Sequence, residues 1–205
     1  MKIYLIRHGE TDWNVLKRLQ GRSDISLNSN GIELAKKTGE ALKEVPFSRI
    51  YTSPLKRAKE TAMCIKGDRE IPVIEEDRLM EISFGAYEGL CSGKDNYTIP
   101  DPDFKYFFDK PEAYHPPGDG ESIEALCART TSFLQEIVDN PDLQDETILL
   151  STHGAAMMGL LSRFNKDGLA GFWQGGVHKN CAVTILNVCN GTITVEEMGK
   201  VYATI

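Results

Sequence analysis

The sequence contains no Cys-x-x-Cys pair, no His-x-x-x-His pair, no Gly-x-Gly-x-x-Gly turn and no P-loop. The first two absences remove the short-range ligand spacings of common zinc sites. The last two remove the glycine-rich turns with which nucleotide-binding modules cradle phosphates. The five cysteines, at positions 64, 91, 127, 181 and 189, are odd in number and widely spaced, which argues for reduced thiols over a disulfide framework. No apolar run is long enough to cross a bilayer. The first apolar stretch is too short for a secretory signal and runs straight into Arg7-His8, so a cytoplasmic location is expected. Positive charge is also scarce. With 23 Lys and Arg against 30 Asp and Glu, the net charge is −7, which makes nucleic acid and anionic membranes poor partners. An anionic ligand must therefore be met by cations gathered locally.

What is present fits one domain over residues 1–205, since there is no linker, low-complexity segment or internal repeat. Apolar runs without helical period at Lys2–Ile6, Arg49–Thr52, Ile71–Ile74 and Thr147–Leu150 read as strands. The first is apolar on both faces, as buried parallel strands are. Ser29–Glu44 reads as an amphipathic helix with Ile32, Ala35, Leu42 and Val45 inward, Asn28 as N-cap and Pro46 as its stop. Further helices are expected over Leu55–Ile65 with Pro54 at the first helical position, from Ser122 to about Asp139, and over Ala155–Arg163. Asn190-Gly191 marks a hairpin between Asn180–Val188 and Thr192–Val195. Trp13, Leu16 and Leu19 have the spacing of a short helical turn with those three inward. Residues 91–117, with five prolines and a cluster of aromatic residues, are the least regular stretch. They read as an insertion on the substrate side of the molecule.

Three of the expected strands end in polar residues able to do chemistry: Arg7-His8-Gly9-Glu10, Ser53 to Arg57, and Ser151-Thr152-His153-Gly154. In an open α/β sheet, ligands bind beyond the carboxyl ends of parallel strands. Two histidines and two arginines would then meet at one edge, and basic groups gathered without countercharge call for an anion. Arg57 falls in the first turn of its helix, where a cation opposes the helix dipole; a locally broken rule points to function. Arginine forks match phosphate oxygens, and a neutral histidine can attack phosphorus and hold the phosphoryl group. Arg7, Arg57 and His153 could supply the charge stabilisation without a metal. Glu81, flanked by Met80 and Ile82, is expected in a partly apolar setting that suits a general acid.

Four motifs, in this order, resemble the histidine phosphatase superfamily, the family of cofactor-dependent phosphoglycerate mutases and their phosphatase relatives. They are Leu5-Ile6-Arg7-His8-Gly9-Glu10-Thr11 with Asn14; Tyr51-Thr52-Ser53-Pro54-Leu55-Lys56-Arg57; Glu81 before Phe84-Gly85 and Glu88-Gly89; and Ser151-Thr152-His153-Gly154. The resemblance implies a three-layer α/β/α sandwich with a mostly parallel central sheet and helices on both faces. It implies His8 as nucleophile, Glu81 as proton donor, and Arg7, Arg57 and His153 as the rest of the phosphate pocket. It adds Asn14, Gln20 and Gly21 as residues contacting phosphate or substrate. The residues after Glu81, Ile82-Ser83-Phe84-Gly85, depart from the Glu-Arg-His-Tyr-Gly of the mutases and resemble the small broad-specificity and α-ribazole phosphatases. The expected activity is therefore hydrolysis of a small phosphorylated substrate with no cofactor. A mutase is the alternative, and a catalytically silent phospho-ligand binding protein is the alternative of another class. A homodimer is left open.

Overall fold

The computed structural model describes residues 1–204. Six strands form one mixed sheet in the order β3-β2-β4-β1-β5-β6. In chain order the elements are β1 (Lys2–Arg7), α1 (Asp12–Val15), α2 (Ser29–Ala41), β2 (Phe47–Thr52), α3 (Lys56–Lys66), β3 (Val73–Glu75), α4 (Tyr106–Asp109), α5 (Ile123–Asp139), β4 (Thr147–Thr152), α6 (Gly154–Leu161), β5 (Val183–Cys189) and β6 (Thr192–Lys200). Strands β1 to β4 run parallel, while β5 is antiparallel to β1 and β6 antiparallel to β5. The expected mostly parallel sheet is present, with an antiparallel hairpin at one edge. No helix among the described residues is long and apolar enough to cross a membrane.

The alternation along β1 sets the layers. Ile3 and Leu5 face a core built with Phe133, Leu134 and Ile137 of α5 and Met157 and Leu160 of α6. Tyr4 and Ile6 face the other core, with Ala35 of α2 and Ala62 and Ile65 of α3. A third apolar cluster joins Phe104, Phe107 and Tyr114 to Phe84, Ile123 and Phe172. The aromatic residues of the 91–117 stretch thus anchor it to the body of the protein.

Several boundaries differ from the sequence reading for local reasons. Helix α2 ends at Ala41, and Pro46 does not stop it. The carbonyls of Leu42, Lys43 and Val45 are taken by the Arg69 guanidinium, which satisfies them without another helical turn. Ile32 of α2 is exposed, and so is Leu16 after α1, although Leu19 is buried. Asn28 does cap α2, accepting from Gly31 N at 2.8 Å. Pro54 precedes the N-cap Leu55 and so stands outside α3. Strand β5 starts only at Val183 because Cys181 adopts φ 55° in the turn before it. Strand β6 runs on to Lys200.

The turn after β1 lies directly on the start of α2. Asn28 N donates to Glu10 O at 3.0 Å, and its side chain reaches Glu10 Oε1 at 2.9 Å. A Cβ on Gly31 would strike the backbone of Glu10, and one on Gly9 would lie 2.6 Å from Gly31 O. Gly31→Ala is therefore expected to push the turn carrying His8 off α2. Stability should fall by about 1–3 kcal/mol, and turnover should fall with it. Gly118→Ala, where an added methyl meets nothing, should stay within about 0.5 kcal/mol of the parent. Urea unfolding of the two variants checks the pair.

Candidate active site

Register brings the site together. Strand β4 lies between β1 and β2, pairing Arg7 with Thr152 and Thr52 with Ser151. The next residues, His8, His153 and Ser53, leave the sheet at one level. His8 N still donates to Thr152 O at 2.9 Å, and Ser53 N to Ser151 O at 3.0 Å. The turn after His8 is tied down further. Gly9 N donates to Thr61 Oγ1 at 2.9 Å, Cys181 N to Arg7 O at 3.0 Å, and Asn180 Nδ2 to His8 O at 2.9 Å.

His8 is only 3% exposed. Its Nδ1 lies 2.7 Å from Gly9 O, and a carbonyl can only accept, so Nδ1 carries the proton and Nε2 the lone pair. Burial, then Arg57, then Arg7, hold the imidazole well below its ordinary pKa. The result is a fixed, neutral imidazole with a free nitrogen, which is what nucleophilic attack requires. His153 lies beside it, the ring centroids 5.2 Å apart. Its Nε2 is 2.7 Å from Ser53 Oγ. Burial, with Arg57 and His8 as the next causes, keeps it neutral too.

Arg57 is fully buried, so its place in the first turn of α3 is no accident of a solvated side chain. It reaches across to residues 21–23, donating through Nη2 to Gly21 O at 2.7 Å and through Nη1 to Ser23 O at 2.8 Å. Burial lowers its pKa to about 10, opposed in part by Glu81. Glu88 holds the same loop from the other side. Its carboxylate accepts from Arg22 N at 2.9 Å, Ser23 N at 2.8 Å, Ser23 Oγ at 2.6 Å and Phe84 N at 3.2 Å. Arg7 donates through Nη1 to His178 O. Three of the four buried nitrogens that lack a hydrogen-bond partner among the described residues belong to this site: Arg7 Nε, Arg57 Nε and His153 Nδ1. Such orphans are costly and rare unless a ligand completes them. A tetrahedral oxyanion offers the acceptors they lack.

The setting of Glu81 corrects the sequence reading. Ile82 beside it is buried, but the Glu81 carboxylate is not in an apolar pocket. It accepts from Ile82 N at 3.0 Å, Ala155 N at 3.1 Å and Ala156 N at 2.9 Å. The last two are free amides in the first turn of α6, where a carboxylate is favoured. Glu81 is fixed by backbone, beside Arg7, and not by hydrophobic burial.

Arg7, His8, Asn14, Gln20, Gly21, Arg57 and Glu81 all line one cleft of about 260 Å³. His153 adjoins His8 but is fully enclosed and is not on the cleft wall. The carbonyl oxygen of Asn14 is committed to capping α1 through Thr11 N at 3.0 Å. Gln20 Oε1 is buried without a partner. His115 is exposed and lines a separate surface hollow with Asp101 and Tyr106. Sequence reasoning gave no role to Ser53, Glu88, Asn180 or Trp173. Ser53 and Glu88 stand inside the quoted motifs and were within reach of that reading; Asn180 and Trp173 carry no local signal.

The chain matches the histidine phosphatase superfamily (branch 1) over residues 3–201. It belongs to that superfamily. An uncharacterized phosphatase, PhoE, from Bacillus subtilis is 31% identical over 195 residues, covering 95% of this chain and 89% of that protein. Phosphoserine phosphatase 1 from Hydrogenobacter thermophilus is 31% identical, covering 86% of this chain and 82% of that protein. The structure of Bacillus stearothermophilus YhfR superposes with a TM-score of 0.88 at 36% identity, covering 98% of this chain and 97% of that one. The protein is thus a phosphatase of the histidine phosphatase superfamily.

The two buried histidines give this phosphatase a pH signature. Both sit below their ordinary value in the folded state, whereas the unfolded chain titrates near 6.5. Below that pH the unfolded chain binds protons that the folded chain refuses. Stability is therefore full above about pH 6.5 and declines as pH falls towards the folded-state values. The slope is up to about 1.4 kcal/mol per pH unit for each histidine. Urea midpoints measured from neutral pH down to mildly acidic pH should show this loss, and His153→Asn should flatten it by one histidine's share. An unchanged slope in the variant would contradict the assignment.

Proposed function

We propose that the protein hydrolyses small phosphomonoesters through a phosphohistidine at His8, without a metal. The observation that carries this reading is a neutral His8 with a free Nε2, set among three buried nitrogens that lack acceptors. In the first half-reaction the Nε2 lone pair attacks phosphorus in line. The phosphorus–oxygen ester bond breaks, and Glu81 in its acid form gives its proton to the departing alcohol oxygen. Arg7 and Arg57, which line the cleft, stabilise the charge spread over the equatorial oxygens, and the enclosed His153 supports them from beside His8. In the second half, Glu81 takes a proton from water as that water attacks phosphorus. The phosphorus–nitrogen bond breaks, inorganic phosphate leaves, and His8 returns to its starting state.

Phosphatase and mutase differ in which acceptor meets phospho-His8. Phe108 and Val177 on the cleft wall are each 43% exposed, which supports access by water. The names of the relatives described above support hydrolysis as well. For the substrate, the reading is a small phosphorylated metabolite, in the manner of broad-specificity or α-ribazole phosphatases. The H. thermophilus relative's name adds phosphoserine to the esters worth testing.

The test is phosphate release from a panel of phosphomonoesters in EDTA, with isomerisation of 3-phosphoglycerate followed in parallel. Release should survive EDTA and vanish in His8→Ala. In Glu81→Gln it should fall far more for alkyl esters than for aryl esters, whose leaving groups need no proton. Isomerisation without release would make the protein a mutase. Tight binding of phosphate esters with neither reaction would make it a silent binding protein. Equal losses for both ester types would remove Glu81 from the role of acid.

A further inference from the structure

Glu81 has to give up a proton and later take one back from the same place. Its carboxylate is held by the amides of Ile82, Ala155 and Ala156. Those bonds are strongest to the ionised form, since charge-assisted hydrogen bonds are about twice as strong as neutral ones. They weaken once Glu81 carries the proton it is to donate. An anchor indifferent to that charge would serve the acid half of the cycle, and the structure contains one at the other end of the residue, on its backbone.

Arg129 of α5 supplies it. Its Nη2 donates to Glu81 O at 3.1 Å and its Nη1 to Arg78 O at 2.8 Å. The other edge of the guanidinium is gripped by Glu121, whose two carboxylate oxygens accept from Arg129 Nε at 2.7 Å and from Nη2 at 2.9 Å. The Arg129 side chain is 17% exposed and that of Glu121 11%, so the pair is shielded from the solvent that weakens exposed ion pairs. Glu121 N also donates to Ser83 O at 2.8 Å, and Thr152 Oγ1, at the end of β4, donates to Leu79 O at 2.8 Å. The segment that carries Glu81 is thus tied by its carbonyls on both sides of that residue. Arg129 does not line the cleft, so what it contributes to proton transfer passes through the segment it holds.

We infer that Arg129, clamped by Glu121, is a positioning residue for Glu81: it fixes the backbone from which the proton donor reaches the departing oxygen. The inference rests on the phosphatase reading above, in which Glu81 is the acid, and extends it to a pair of residues outside the cleft. Lysine is no substitute here, since one ammonium lacks the planar fork that holds a carboxylate and two carbonyls together. A misplacement of about 1 Å can cost a reaction about a hundredfold in rate.

The test compares 4-nitrobenzyl phosphate with 4-nitrophenyl phosphate on the full-length protein. The esters differ by one methylene, but the first releases an alcohol that needs a proton and the second a phenolate that does not. The value of kcat/KM reads the steps up to departure of that group, and so separates the acid role from the later hydrolysis of phospho-His8. In Arg129→Lys it should fall by about tenfold or more for the benzyl ester and by less than about threefold for the phenyl ester. Glu121→Gln, which keeps the size of the side chain, should reproduce the contrast in milder form. Turnover of the phenyl ester, which needs no acid, reports that each variant is folded. Added to Glu81→Gln, the Arg129→Lys change should widen the contrast no further, because the group it positions is already gone. Equal losses for the two esters in Arg129→Lys, no loss for either, or a contrast that grows again in the double variant overturns the positioning role. Equal losses in Glu81→Gln itself, or turnover of neither ester by the parent protein, overturn the reading of the site, and the inference falls with it.

Discussion

Two guanidinium groups, Arg57 fully buried and Arg7 half-buried, stand at one end of the sheet, with no carboxylate among the described residues within ion-pair distance of either. Arg57 has no exposed surface, and its hydrogen bonds go to two carbonyls. Arg7 donates to a third carbonyl, and its Nε has no partner. Among the described residues neither arginine forms an ion pair, although Glu81 stands near enough to act on both electrostatically. Burying cations in this way is expensive unless a ligand supplies the countercharge. Much of the site follows from that imbalance. The two histidines beside the arginines are held neutral, which leaves His8 with the lone pair that the proposed nucleophilic role requires. A tetrahedral oxyanion is the natural occupant.

The surrounding structure keeps this arrangement from relaxing. The carbonyls that face Arg57 belong to Gly21 and Ser23, and the Glu88 carboxylate pins the same loop through Arg22 and Ser23. Gly21 adopts φ 50°, so a loop with its carbonyls turned inward is accessible there at little steric cost. On the other flank Cys181, at φ 55°, donates its N–H to Arg7 O, and Asn180 holds the carbonyls of His8 and Gly9. The active-site turn is therefore gripped by backbone and amide contacts from distant parts of the chain. Preorganisation of this kind, with few groups left to move during reaction, is the main source of electrostatic catalysis.

How much of this the sequence discloses depends on how local the cause is. The ends of β1 and β4 were legible because an apolar run stopping at Arg7-His8 or at His153-Gly154 is a local event. The unusual placement of Arg57 was legible because it breaks a helix rule, and the structure shows why the rule is broken: the buried side chain reaches back to the 21–23 loop. Glu81 was read as apolar from its neighbours Met80 and Ile82, but its surroundings come from Ala155 and Ala156, more than seventy residues away in sequence. The early end of α2 depends on Arg69, again a distant side chain that no window of local sequence contains. The contacts of Asn180 and Trp173 are of the same kind. The aromatic residues after position 91 were visible as a cluster, but only folding divides them into the buried Phe104, Phe107 and Tyr114 and the cleft-facing Phe108.

The central claim is that phosphorus passes through a covalent bond to His8. The most direct measurement is rapid quenching of the enzyme during turnover of a radiolabelled phosphomonoester, followed by mapping of the label on the denatured chain. The account predicts a label that is stable in base and lost in acid, as a phosphoramidate is, located on the peptide carrying His8 and absent from His8→Ala. If the enzyme turns over with no trapped label at any quench time, and solvent oxygen enters phosphate with the inversion expected of direct attack by water, the account is wrong.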